Sequence, residues 1–124
     1  MQKRIILLTL FALLLTACAS SAAGGGALAV ENYLNALIAK DADAVINGSC
    51  LEWESGAQAD IDSFLTVEAS LTEDFACADS GPNQVECSGA ILFTYGDEVQ
   101  ELLLEGTVYS VVEEAGEWRM CGYQ

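Results

Sequence analysis

Five cysteines, nineteen carboxylates and no histidine set the chemistry open to this 124-residue chain. Without an imidazole there is no histidine general base, and a serine triad is excluded with it. No Cys-x-x-Cys occurs, so the spacing of a zinc site or a thioredoxin-like dithiol is missing. Cys50, Cys77, Cys87 and Cys121 form an even set suited to disulfides in an oxidising compartment, and on count alone three pairings are open. For acid–base work a carboxylate and a phenol remain. Tyr33 is placed to donate a hydrogen bond to an enolate oxygen, with Asp60, Asp62 or Glu73 as a base in a buried pocket. The plainer assignment for these residue types is a core tyrosine with a tethered hydroxyl and solvated carboxylates. Asp41-Ala42-Asp43 and Asp60-Ile61-Asp62 begin like calcium loops, but the third ligand position holds Val45 or Phe64 and no glycine stands sixth. No metal or other cofactor is expected.

The fifth cysteine has a different context. Met1 to Arg4 supplies a short basic segment, Ile5 to Leu15 is apolar but for Thr9, and Thr16-Ala17-Cys18 is a small-residue exit. Eleven residues at about 1.5 Å each fall short of a bilayer core of about 30 Å, so a cleaved export signal is expected. Leu15-Thr16-Ala17-Cys18 resembles a lipobox, the site at which bacterial lipoproteins receive diacylglycerol on the cysteine and are cut before it. Ordinary cleavage at Ala17-Cys18-Ala19 and an uncleaved anchor are the alternatives. The expected organisation is a signal peptide over 1–17, lipidated Cys18 with a flexible Ala/Ser/Gly linker to 26, and one domain over 27–124. Two or three acyl chains give a lasting membrane anchor where one does not. Ala19 after the cysteine, in place of aspartate, implies the outer membrane where one exists, and otherwise the outer face of the cytoplasmic membrane.

Loss of the signal removes Lys3 and Arg4. Lys40 and Arg119 then face all nineteen carboxylates, a net charge of −17. Such a surface repels phosphate backbones and anionic headgroups, so nucleic-acid binding is excluded. Glu52, Glu54, Asp97 and Glu98 are expected to keep strand edges apart. Trp53 is expected to pack near Cys50, the alternative being an exposed anchor for a partner.

These residues need positioning elements. Val30, Tyr33, Leu34, Leu37 and Ile38 recur at helical spacing, predicting an amphipathic helix over 27–39. Asp41 caps a second short helix over 42–47 that ends near Gly48, and 57–65 reads as a third. From Val67 the pattern is strand-like, with turns at Asp79–Asn83, Gly96-Asp97 and Ala115-Gly116. Val67–Cys77, Val85–Tyr95, Gln100–Val112 and Trp118–Tyr123 form a meander. Cys77 and Cys87 then lie across one hairpin, which favours the pairs Cys77–Cys87 and Cys50–Cys121. The expected architecture is α+β, with N-terminal helices packed on one curved four-stranded antiparallel sheet.

Ala29-Val30-Glu31-Asn32-Tyr33-Leu34-Asn35-Ala36-Leu37 with Lys40-Asp41-Ala42-Asp43-Ala44, and Tyr109 to Glu114 with Gly116-Glu117-Trp118-Arg119-Met120-Cys121-Gly122-Tyr123, resemble the cystatin-like cones of the nuclear transport factor 2-like superfamily. The small bacterial lipoprotein versions are most similar. The resemblance implies a helix packed into a curved sheet with a pocket at the open end of the cone. Such folds serve enzymes and binding modules alike, so the fold does not decide function. The expectation is a lipid-anchored, non-catalytic binding or interaction domain of the bacterial envelope, taking an envelope protein or a small apolar ligand, with a homodimer as a further form. A small isomerase- or hydratase-like enzyme using a pocket carboxylate and Tyr33, or a structural envelope component, is the alternative.

Overall fold

The computed structural model describes residues 25–124, so Cys18, the signal and most of the linker lie outside the described residues. Three helices come first: α1 (Gly25–Ile38), α2 (Ala42–Asn47) and, after a 3₁₀ turn at Leu51–Trp53, α3 (Glu54–Phe64). Seven strands follow: β1 (Glu68–Leu71), β2 (Ala76–Gly81), β3 (Gln84–Ser88), β4 (Ala90–Tyr95), β5 (Glu98–Leu103), β6 (Val108–Glu114) and β7 (Glu117–Tyr123). The fold is α+β, and every strand pairing is antiparallel.

Val30, Tyr33, Leu34 and Leu37 form the buried stripe of α1, which lies against β2, β3, β6 and β7. The expected linker ends earlier than its sequence suggests, because Gly25 and Gly26 already belong to this helix. The cause is close packing. A Cβ on Gly26 would stand 2.8 Å from Val111 Cγ2, so only glycine lets the first turn settle on the sheet. Asp79 Oδ1 accepts the Ala27 N–H at 3.2 Å, and Glu31 Oε1 accepts the Cys77 N–H at 2.9 Å. Helix and strand thereby satisfy each other's free donors. Asp41 caps α2 by accepting the Ala44 N–H at 3.1 Å.

The single four-stranded sheet expected from the sequence is not what forms. The strands make two sheets, one of order β1-β4-β5 and one of order β2-β3-β6-β7. Each of the first three long strands read from the sequence is broken at one level: at Thr72–Phe75, at Gly89 and at Leu104–Thr107. Gly89 has φ +88°, and a Cβ there would meet Phe75 Cα and Thr72 Oγ1 at 2.8 Å. The chain therefore bends where three strands cross tightly. Hydrogen bonds continue across the bend, from Thr72 N–H to Ala90 O at 3.0 Å and from Leu104 N–H to Gly89 O at 3.0 Å.

Two disulfides staple this frame. Cys77 and Cys87 face each other across the β2–β3 pair with Cα atoms 4.0 Å apart, and Cys50 joins Cys121 with Cα atoms 5.1 Å apart. The second has a positional role. Cys50 N–H donates to Met120 O and Met120 N–H donates to Gly48 O, each at 2.8 Å, so the segment leading into α3 is tied to β7 by hydrogen bonds and a covalent bridge. One core, centred on Val30, Tyr33, Val85, Val111 and Met120, joins the helices to both sheets.

Candidate functional site

The helical spacing of α3 decides which of its carboxylates turns inward. Ala57 and Ile61 are buried, and Asp60 and Phe64 lie beside them on the same face, three and four residues apart. Asp62 faces away from that stripe. It is exposed and accepts a hydrogen bond from Gln58 Nε2 at 3.0 Å. Glu73 is exposed in the turn between β1 and β2 and does not reach the cavity described next. Of the residues expected to act together, the structure brings Tyr33 and Asp60 into contact and leaves Asp62 and Glu73 outside. Among the described residues no group of three or more His, Cys, Asp or Glu could hold a metal ion.

Asp60 sits at a cavity of about 230 Å³ between the helices and the three-stranded sheet. Tyr33, Leu34 and Leu37 of α1, Phe64 of α3, Ile91 and Phe93 of β4, and Leu102 and Leu103 of β5 supply the walls. Leu104, Thr107, Tyr109 and Tyr123 complete them, and among the described residues no basic side chain lines the space. A broader depression of about 370 Å³ runs beside Cys77 and Cys87, but its carboxylates, Glu86 and Glu105, are exposed.

Tyr33, 1% exposed, donates to Asp60 Oδ2 at 2.6 Å, and Tyr123 donates to Oδ1 at 2.8 Å. Trp53 Nε1–H in turn donates to the Tyr33 hydroxyl at 3.2 Å. The Trp53 backbone N–H donates to Cys50 O at 3.1 Å, and the indole meets the Tyr123 ring edge-on with centroids 5.4 Å apart. Tyr109 stands directly opposite Tyr123 in the β6–β7 pair, with ring centroids 5.8 Å apart. Sequence reasoning did not assign Tyr109 or Tyr123 to the site. The signal available covered Tyr109 alone, which shares the buried phase of β6 with Val111, whereas Tyr123 falls outside the phase that Met120 and Gly122 set in β7.

The electrostatics follow from this packing. Burial, and after it the hydrogen bond to Asp60, raises the Tyr33 phenol well above its ordinary range. Burial pushes Tyr109 up to about 12, with the Asp60 charge adding to it. Burial and the Asp60 hydrogen bond push Tyr123 up to about 12. All three phenols therefore stay protonated at neutral pH, and two are fixed donors to one carboxylate. Each carboxylate oxygen accepts a single phenolic bond and has room for a further donor. The site thus presents an oriented negative charge at the polar end of an apolar chamber.

No family model matches the chain, and no match is found among curated proteins. Among solved structures the chain is similar to the solution structure of a SEC-C motif containing protein from Rhodopseudomonas palustris. The TM-score is 0.53 at 12% sequence identity, over 77% of this chain and 74% of that one. A likeness at this identity concerns the fold alone, and it agrees with an α+β architecture.

Proposed function

We propose that this chain is a lipid-anchored protein of the bacterial envelope whose domain holds a small apolar ligand without catalysing its conversion. The observation that carries the reading is the apolar cavity with the tyrosine-clamped Asp60 at its edge. The Tyr33 proton is committed to Asp60 and its oxygen accepts from Trp53, so the phenol has no proton free to give a substrate. An isomerase- or hydratase-like mechanism needs a base and an acid free to exchange protons with substrate, so the arrangement favours holding over turnover. The lipobox-like Leu15–Cys18 motif supports the anchor. Two disulfides, which persist in oxidising compartments, support export. Among the described residues no helix is long and apolar enough to cross a membrane. The packing of α1 on the sheet of order β2-β3-β6-β7 supports a cystatin-like cone of the nuclear transport factor 2-like kind.

The test is a titration of the domain with benzyl alcohol, followed by backbone amide shifts in nuclear magnetic resonance. Saturable shifts should concentrate at Leu104, Thr107 and Tyr123, and Thr107→Phe, which fills the chamber from its rim, should weaken binding at least tenfold. Shifts that never saturate, or that ignore the filling variant, would contradict the reading.

A second reading is pairing of two copies through β5. Within the described residues β5 pairs only with β4, all six of its residues are exposed, and Val99, Leu102 and Leu103 are apolar. Charge of −17 on each copy opposes the association, so a dimer should appear in sedimentation only as salt screens that repulsion. A monomer at every salt concentration would rule it out.

A further inference from the structure

Asp60 is an anion without a counter-ion among the described residues. Neither basic side chain there reaches it. Lys40 lies 3.8 Å from Glu68 and donates to Leu65 O, while Arg119 engages Glu117 at 2.9 Å, Glu114 at 4.0 Å and the Asn47 carbonyl. The groups that do hold Asp60 are neutral phenols, which orient its charge but leave it uncancelled. A charge taken partly out of water into apolar surroundings is costly unless paired. The surroundings also suit a cation in a second way. The Tyr109, Tyr123 and Trp53 rings gather beside the carboxylate, and aromatic faces attract ammonium groups. The domain's net charge of −17, Lys40 and Arg119 against nineteen carboxylates, concentrates cations around it, whereas an anion would meet repulsion and, among the described residues, no basic partner in the cavity.

From this geometry we infer that the ligand is an apolar amine. Its ammonium group donates to Asp60, and its hydrocarbon body lies against Leu34, Ile91 and Phe93. At about 230 Å³ the chamber falls below the roughly 300–1,000 Å³ of drug-sized sites, so the body is about one ring or a short alkyl chain. The inference rests on the cavity's being a ligand site and adds to it the sign of the ligand's charge.

Three probes share one body and differ in charge: benzylamine, benzyl alcohol and benzoate. They are titrated at pH 7 in low salt against the whole domain. Both the amine and the alcohol can donate to the carboxylate, but only the amine brings a full positive charge to it in a partly desolvated site, so benzylamine should bind at least tenfold tighter than benzyl alcohol, and benzoate weakest. Asp60→Asn should shrink the ratio of amine to alcohol affinity to within about twofold. Asp62→Asn removes the same charge outside the cavity and should keep the ratio above tenfold, which separates pairing at the site from general attraction by an acidic surface. Should Asp60→Asn fail to fold, the position of the wild-type amine decides. Intermolecular contacts from its methylene protons to the Tyr123 ring support the inference, and contacts only elsewhere on the surface overturn it. Equal affinity for amine and alcohol, or a preference that survives Asp60→Asn, overturns the inference and leaves the cavity as a neutral apolar site. Binding of none of the three probes overturns the ligand-site reading as well.

Discussion

Replacing Tyr33 with phenylalanine deletes one oxygen from the centre of the hydrogen-bond network and little else. The ring stays in the α1 stripe, so the packing of a side chain only 1% exposed is conserved. The loss consists of a 2.6 Å bond to a carboxylate and the acceptor of the Trp53 N–H at 3.2 Å. A hydrogen bond to a charged group contributes about 1.5–3 kcal/mol. Trp53 is half-buried, so water can replace its lost acceptor at small cost. The expected destabilisation is about 2 kcal/mol, a fall in Tm of about 8–16 °C for a domain of this size. Tyr123→Phe removes a bond of similar length, 2.8 Å, but at a ring 46% exposed where water takes over, so it should cost less than about 1 kcal/mol. Urea unfolding of the two variants beside the wild type measures both numbers. Tyr33→Phe within about 0.5 kcal/mol of wild type, or Tyr123→Phe the more damaging of the two, would refute the assignment of Tyr33 as the buried donor to Asp60.

Alkali should unfold the domain. Tyr109 and Tyr123 are pushed from 10.0 up to about 12, so their contribution is complete below about pH 10 and is lost between pH 10 and 12 as the unfolded chain ionises first; urea midpoints unchanged from pH 8 to pH 11 would contradict it. The disulfides should differ in weight. With sequence separations of 71 and 10, chain-entropy reasoning makes loss of Cys50–Cys121 costlier than loss of Cys77–Cys87 by about 1.7 kcal/mol, checked by melting the paired Cys→Ser variants, and the reverse order would count against it. Added sodium chloride should raise the stability of the domain by screening its nineteen carboxylates, which face only Lys40 and Arg119 there, and a flat or falling urea midpoint would show that the repulsion is already neutralised. Cys18→Ser should abolish incorporation of labelled fatty acid and leave the precursor uncut; normal release of a soluble product from that variant would remove the anchor from the proposal.

The helices and the three hairpin turns were legible because their signals are local. The α1 stripe recurs at helical spacing, Asp41 is a capping residue, and Gly96-Asp97 and Ala115-Gly116 carry turn chemistry. The division into two sheets was not, because it depends on strands meeting across the fold. Gly89 reads as one more residue in an alternating run, and only the approach of Phe75 and Thr72 shows why it is a bend. Asp60 and Tyr33 could be named from residue type, but nothing in one sequence ranked Asp60 above Asp62. The ranking comes from Ala57 and Ile61, which fix the buried face of α3. Tyr123 was hidden by a register shift. The turn at Ala115-Gly116 starts a regular pairing, Glu114 with Glu117 through Val111 with Met120, that would set Tyr109 opposite Gly122. An irregularity between Tyr109 and Val111 sets it opposite Tyr123 instead.

A crystal structure of the domain with benzylamine tests the ligand site and its charge together. The predicted result is the amine nitrogen about 2.7–2.9 Å from an Asp60 oxygen, with both tyrosine bonds kept and the ring against Leu34, Ile91 and Phe93. A cavity closed by its own side chains, or benzylamine bound away from Asp60, would contradict it.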